Sequence, residues 1–278
     1  MNARLGDREK VVAGYWADGP RTETPPGRWC LFAQFVSLRD GHTADQDVKL
    51  FFALTNGLLD ASVAVWEAKR YYDSPRPVTA IRFLFGGRPV RAWAGPFQGT
   101  QLVSGDVWQS YIATPPFAEC VSGHSAFSAA SAEILRSFTG SDRFGAQVMI
   151  EAGSSAIEPG VVPAGSVTLA WRTFSEAADE AGLSRRYGGI HFEDGDLAGR
   201  LMGRQIGVLV WKTALSYFNG TVGAADVDRS HRGGLLRYPS GNTMILRPFP
   251  SESRVRWAAA ARNVTIEAAV TFGSPATP

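Results

Sequence analysis

The sequence predicts a mainly α fold. Apolar residues recur at helical spacing along most of the chain, the longest such run covers residues 45–72, and glycine or proline closes the runs. Residues 8–17 predict a short helix stopped by Gly19-Pro20. A loop through Pro25-Pro26-Gly27 is expected next, then a helix carrying Trp29, Phe32, Phe35 and Val36. In the long run Val48, Phe51, Phe52, Leu58, Leu59, Val63 and Trp66 share the helical period, Asp73-Ser74-Pro75 ends it, and Trp29, Phe32, Phe35, Phe51 and Phe52 are expected in the core. Proline cannot continue a helix and pushes the residue before it out of the helical region.

Residues 86–121 read as loop-rich. Ser122 opens a helix through Phe127, Ile134, Leu135 and Phe138, closed by Thr139-Gly140, and residues 151–167 read as another loop. Further helices are expected over 172–181, stopping at Gly182, and over 194–218. The predicted organisation is a catalytic helical-bundle domain over 1–218 and a mixed C-terminal extension over 219–278, with possible short strands, packed on it. Gly195, Gly199, Gly203 and Gly207 fall every fourth residue and make one bare stripe. Each helical glycine costs roughly 0.5–1 kcal/mol relative to alanine, so four in register imply close approach by another backbone. The Ala- and Ser-rich helix after Ser122 is the expected neighbour.

The chain of 278 residues is 45% apolar and 19% charged, enough to bury a sizeable core. A net charge of +2, pI about 8.6, and no dense basic run argue against a nucleic-acid partner. No unbroken run of 18 apolar residues suggests a membrane span, and the charged start from Met1 to Lys10 lacks the apolar core of a secretory signal. A soluble protein is expected, with the cytoplasm and export by another route both open. Two cysteines, Cys30 and Cys120, make no disulfide framework.

Three segments carry candidate chemistry. Lys69 and Arg76 lie seven residues apart at a helix end, where two cations repel unless an anion or carboxylates sit between them; they also suit an ordinary helix C-terminus. Ser122-Gly123-His124 opens a helix, whose free N–H groups form an anion site. Gly123 would admit close approach and Ser122 can donate its hydroxyl, although plain capping accounts for the serine equally. Ser184-Arg185-Arg186-Tyr187-Gly188-Gly189-Ile190-His191 sets an arginine six residues before a histidine that could attack or ligate an electrophilic centre, or serve as a structural hydrogen-bonder. Together the cations, hydroxyl, amides and imidazoles suit a tetrahedral oxyanion. Arg186 is expected to pair with a surface carboxylate, and His42 and His231 to be solvated in polar loops.

These three segments, in order and spacing, resemble the signature of the vanadium-dependent haloperoxidases and the related type-2 phosphatidic acid phosphatases. The phrases Ala68-Lys69, Arg76-Pro77-Val78-Thr79-Ala80-Ile81-Arg82 and Pro115-Pro116-Phe117 are similar to the soluble bacterial haloperoxidase branch. The resemblance implies a helical bundle of the haloperoxidase/acid phosphatase type. It implies vanadate as cofactor, or phosphate in the same site, held by Lys69, Arg76, Ser122, Gly123 and Arg185. His191 would be the apical vanadium ligand, His124 the acid–base group, and Lys69 would polarise bound peroxide. Trp66 and Phe117 would line the halide side, phenylalanine leaning toward a chloroperoxidase-like pocket.

Three positions depart from the family pattern. Val121 stands where proline is usual. Gly195 stands where an aspartate often orients the last histidine, leaving Asp194 or Asp196 as substitutes. The chain also carries one bundle where the family usually has two, so the other is expected to be absent, replaced by the tail, or supplied by a second subunit in a homo-oligomer. The implied partners are hydrogen peroxide, a halide and a small organic acceptor. A phosphatase working through a phosphohistidine, and a non-catalytic binding or scaffold protein, are the rival functions.

Overall fold

The computed structural model describes residues 2–19 and 21–222. The described residues up to Thr221 belong to one compact unit. Its helices are α1 (Asp7–Tyr15), α2 (Thr24–Asp40), α3 (Ala44–Tyr72), α4 (Pro77–Leu84), α5 (Gly123–Thr139), α6 (Phe174–Tyr187) and α7 (Glu193–Phe218). Two antiparallel hairpins join them: β1 (Pro89–Trp93) with β2 (Thr100–Ser104), and β3 (Arg143–Ile150) with β4 (Val167–Thr173). The expected extension over 219–278 lies, from residue 223, outside the described residues, as does His231.

Local chemistry sets the helix ends. Thr43 and Gln46 cap α3 reciprocally, Gln46 N donating to the threonine Oγ1 at 3.4 Å and Thr43 N to the glutamine Oε1 at 2.8 Å. α3 stops with Asp73 in the left-handed region at φ 39°, just ahead of Ser74-Pro75. Ser122 caps α5 by accepting from Ser125 N at 3.3 Å, and Gly140 closes that helix at φ 70°. Pro25, Pro26 and Gly27 are not a loop: they form the first turn of α2, where the N–H groups that proline lacks need no helical partner.

α5 is the central helix and packs most extensively on α7, then on α6 and α3. The glycine stripe makes that contact. A Cβ at Gly199 would lie 2.6 Å from Ser122 O, at Gly203 2.2 Å from Ala126 O, and at Gly207 2.7 Å from Ala130 O. α6 does not stop at Gly182 as expected. That glycine is interior, because a Cβ there would lie 2.2 Å from Asp196 Oδ1 and 2.8 Å from Arg200 Nε. A second core gathers Trp16, Trp29, Phe32, Phe144, Trp171 and Phe174 between α1, α2, β3, β4 and α6. The indoles of Trp16 and Trp171 both donate to Glu180 Oε1, and that of Trp29 to Ser128 Oγ.

The first expected loop stretch, 86–121, holds the β1–β2 hairpin; the second, 151–167, links β3 to β4, and α4 is not among the expected helices. β1 and β2 have five residues each, and in β3, where Phe144, Val148 and Ile150 take the less exposed side, an irregularity between Arg143 and Ala146 and the exposed Met149 blur the period-2 signal. Phe35 and Phe52, read as core, are exposed, whereas Trp29 and Phe32 are buried. His42 is not solvated: its ring bonds Asp47 at 3.2 Å and stacks toward Phe138. Among the described residues one stretch, Ala44–Leu84, is long and apolar enough to cross a membrane, with mean hydropathy 1.4 in its best window. A windowed mean tolerates the charges that break every unbroken apolar run, which explains the difference from the sequence-based expectation. α3 in this stretch packs its inner face on α5 and α7 and leaves Val48, Phe52, Leu59, Val63 and Trp66 exposed.

Candidate functional site

Helix ends supply the site. Lys69 comes from the last turn of α3 and Arg76 from the N-cap of α4, and both are buried, at 4% and 5% exposure. Lys69 Nζ donates to Ala118 O at 2.8 Å and Glu119 O at 3.0 Å. Arg76 Nε donates to Phe117 O at 2.7 Å, and its Nη1 to Ile190 O and His191 Nε2, each at 2.9 Å. The two cations therefore clamp the strand of loop that precedes α5. Ser122 is wholly buried, and its N–H donates to Gly195 O at 2.9 Å, which fastens the start of α5 to the first turn of α7.

Arg185, from the last turn of α6, donates through Nε to Ser184 Oγ at 2.9 Å and through Nη2 to Ala13 O at 3.1 Å. His124 lies in the first turn of α5. His191 precedes α7; its Nδ1 is 2.6 Å from Glu119 Oε1, an oxygen that also accepts from Phe192 N at 3.1 Å.

Burial dominates the electrostatics. It pushes Lys69 down to about 8, helped by Arg76 and opposed by Glu119, and takes Arg76 down to about 10. Arg185 is likewise lowered to about 10 by burial, opposed by Asp18. His191 falls well below its ordinary value through burial and then through the fields of Arg76, Lys69, His124 and Arg185. His124 falls well below its own through burial and Arg185, partly opposed by the backbone of Trp16 and Ala17. Glu119 rises to about 7 by burial, against the pull of the Phe192 amide, Arg76 and Lys69. These cations have lost water and keep only Glu119 and Asp18 as carboxylates that oppose the shift, so an added anion would stabilise their charged forms.

Hydrogen-bond accounting points the same way. Arg76 Nη2 and His124 Nε2 are buried polar nitrogens without a protein partner. Buried polar atoms are rarely left so, because an unmade bond costs about 1–3 kcal/mol. Gly123 adds a third sign: a Cβ there would meet protein only at ordinary distance, 3.6 Å from Phe127, so packing does not require glycine. Among the described residues no cluster of three or more His, Cys, Asp or Glu side chains could cage a cation. The donor set is cationic, and a tetrahedral oxyanion fits it.

At the rim, Trp66 (51% exposed) and Phe117 (40% exposed) pair with ring centres 4.9 Å apart. Lys69 Nζ and Arg76 Cζ lie 5.4 and 5.0 Å from the Phe117 ring centre, so this aromatic face borders the cations. A cleft of about 480 Å³ opens beside Arg76 and Phe117, walled by Pro75, Val78, Pro115 and Pro116.

Arg76, Lys69, His124 and Arg185 thus all act on His191, Ser122 and Gly123 adjoin His124 at the start of α5, and Trp66 and Phe117 lie beside Lys69 and Arg76. Neither Asp194 nor Asp196 orients His191. Asp194 is exposed, and Asp196 binds Ser125 Oγ and Arg200. Arg186 pairs with Glu193 at 2.8 Å, as expected. The residue missed in the sequence is Glu119; a lone carboxylate between Phe117-Ala118 and Cys120-Val121 was its only signal.

The chain matches the family described as the VCPO second helical-bundle domain over residues 49–220. No curated protein matches. Among solved structures it is similar to a bacterial vanadium-dependent chloroperoxidase of holo type, with 25% identity and a TM-score of 0.70 over 78% of this chain and 46% of that one. The apo-type chloroperoxidase gives 24% identity and 0.72 over 78% and 47%, a likeness of fold. A bacterial vanadium-dependent iodoperoxidase gives 26% and 0.56 over 73% and 43%. This chain spans just under half the length of each.

Proposed function

We propose, from the premise that the chain belongs to the vanadium haloperoxidase superfamily through the VCPO second helical-bundle domain, that its cationic pocket holds vanadate and oxidises halide with hydrogen peroxide. The observation that carries the reading is the pair of unpartnered buried nitrogens, Arg76 Nη2 and His124 Nε2, among three cations held below their ordinary pKa. Lys69, Arg76 and Arg185, with the Ser122 hydroxyl and the Gly123 amide, would hold the oxyanion. His191, neutral and with a lone pair on Nε2, would be the ligand to vanadium. Bound vanadate supplies Lewis-acid activation of peroxide, so that halide is oxidised to hypohalous acid.

The chain's own groups carry the rest. Burial and Arg185 keep the resting His124 imidazole neutral; an anion bound beside it would raise its basicity, so that Nε2 could take a proton. Lys69 stabilises negative charge in a site where burial strengthens every field. Trp66 and Phe117 would offer a polarisable wall to a halide at the rim. The cleft beside Arg76 suits a small organic acceptor.

A single experiment separates the rival functions. Purified protein receives bromide, peroxide and a phenolic dye, and separately a chromogenic phosphate ester, each with and without vanadate. The proposal expects vanadate-dependent dye halogenation. Ester hydrolysis inhibited by vanadate would assign a phosphatase working through a phosphohistidine at His191. Neither activity, with no vanadate affinity, would leave a scaffold.

A further inference from the structure

We propose that Glu119 is the positioning residue of His191 and that Gly195 is bare to make room for it. The carboxylate that orients this histidine then arrives from the loop before α5 and not from α7. The consequence for anion affinity rests on the oxyanion reading above; the geometry does not.

Two bonds fix the imidazole. Arg76 Nη1 stands 2.9 Å from His191 Nε2, and arginine can only donate, so Nε2 carries the lone pair. The proton therefore sits on Nδ1, which donates to Glu119 Oε1 at 2.6 Å. Glu119 is itself held from several sides. Its N–H donates to Ser74 O at 3.0 Å, its carbonyl accepts from Lys69 at 3.0 Å, and the next residue, Cys120, donates to Ser74 Oγ at 2.8 Å. Its carboxylate enters a slot that exists only because of Gly195, where a Cβ would lie 2.2 Å from Oε1 and 2.7 Å from Cδ. Gly195 sits one helical turn beyond His191, so a carboxylate on a short side chain at 195 would occupy the same space. The two arrangements exclude one another: an acid on the loop with glycine on the helix, or an acid on the helix with no acid on the loop.

The arrangement sets the tautomer and turns the Nε2 lone pair toward the cations, and a carboxylate behind an imidazole also raises its basicity. Gly195 is thus a specificity position for the device as well as part of the close contact between α5 and α7.

The test uses the full chain and two readouts: the ¹⁵N resonances of the His191 ring in protein free of anion, and orthovanadate affinity by calorimetry without peroxide. Only four histidines need assignment. Wild type should show the Nδ1–H tautomer. Glu119→Ala leaves the Arg76 bond alone to hold the ring, so the tautomers should mix, and vanadate affinity should fall about 10- to 100-fold. Gly195→Ala alone should lose comparable affinity, since its methyl group displaces the carboxylate. Adding Gly195→Ala to Glu119→Ala should cost little more, which is the non-additivity of two changes acting through one contact. Glu119→Ala with Gly195→Asp should restore both the tautomer and most of the affinity. Glu119→Gln keeps the shape and an acceptor oxygen; should Glu119→Ala not fold, this variant and Gly195→Ala carry the test, with Gln retaining the tautomer that Gly195→Ala loses.

The proposal is overturned if the His191 tautomer is indifferent to every one of these changes, or if Gly195→Ala binds vanadate like wild type. If the ring responds as expected while wild type binds no vanadate, positioning by Glu119 stands and the oxyanion reading falls.

Discussion

Arg76 Nη1 donates to Nε2 of His191 across 2.9 Å, so the guanidinium occupies the ring nitrogen assigned to the anion while its own Nη2 has no protein partner. Exchange of that bond for contacts to an oxyanion satisfies both groups. Arg76→Ala should therefore weaken phosphate or vanadate binding by about 10- to 100-fold, the size of a charge-assisted hydrogen bond, although it frees Nε2. Arg76→Lys should recover only part, because an ammonium lacks the fork. Calorimetric titration decides it; an Arg76→Ala protein that binds more tightly would mean the guanidinium only blocks the ring.

Gly123 separates a ligand role from a packing role. A methyl group there meets protein at 3.6 Å and beyond, so Gly123→Ala should melt within about 1 kcal/mol of wild type. The same substitution should cut anion affinity about tenfold or more by crowding the oxyanion against the start of α5. Unchanged affinity would remove Gly123 from the site.

Lys69 gives a pH signature. Its folded pKa, about 8, lies below the ordinary 10.5, so the charged form is disfavoured by folding. Its contribution is present above the unfolded value and is lost as pH falls through the folded one. The anion-free protein should therefore gain stability between about pH 8 and 10.5, and Lys69→Met should lack that gain, as denaturant melts of the two proteins across this range will show. Anion affinity has the opposite sign: sulfate, whose charge does not change in this range, should bind less tightly above about pH 8. Lys69→Arg should flatten that fall.

The bare stripe predicts a contrast in stability. Gly203→Ala places a methyl 2.2 Å from Ala126 O and must separate α5 from α7, at a cost of about 1–3 kcal/mol or more. Gly14, in α1, faces nothing within 4 Å, and Gly14→Ala should be neutral or stabilising by about 0.5–1 kcal/mol. Chemical denaturation of both variants tests the pairing.

Much of this was legible in the residues. The helical period located α3, α5 and α7, and the four-residue glycine repeat named the correct neighbour, because both are one-dimensional records of a buried face. The candidate site residues stood out by their positions at helix edges, and the family resemblance supplied their proposed roles. What escaped depends on three dimensions. Gly182 read as a stop, yet it is an interior glycine whose reason is Asp196 on another helix. Phe35 and Phe52 repeat at the same period as Trp29 and Phe32, so periodicity alone placed all four inside, although only the latter pair is buried. Glu119 meets His191 across 72 residues, and no local pattern announces that pairing. Asp196 was a candidate for the same task by proximity in sequence, but its carboxylate is taken by Ser125 and Arg200.

The most direct measurement is a crystal of the full chain soaked in orthovanadate. The account predicts density for the anion bonded to Nε2 of His191, with its oxygens contacted by Lys69, Arg76, Arg185, the Ser122 hydroxyl and the Gly123 amide. Vanadate found elsewhere on the surface at saturating concentration, with the Arg76–His191 bond intact, would contradict it.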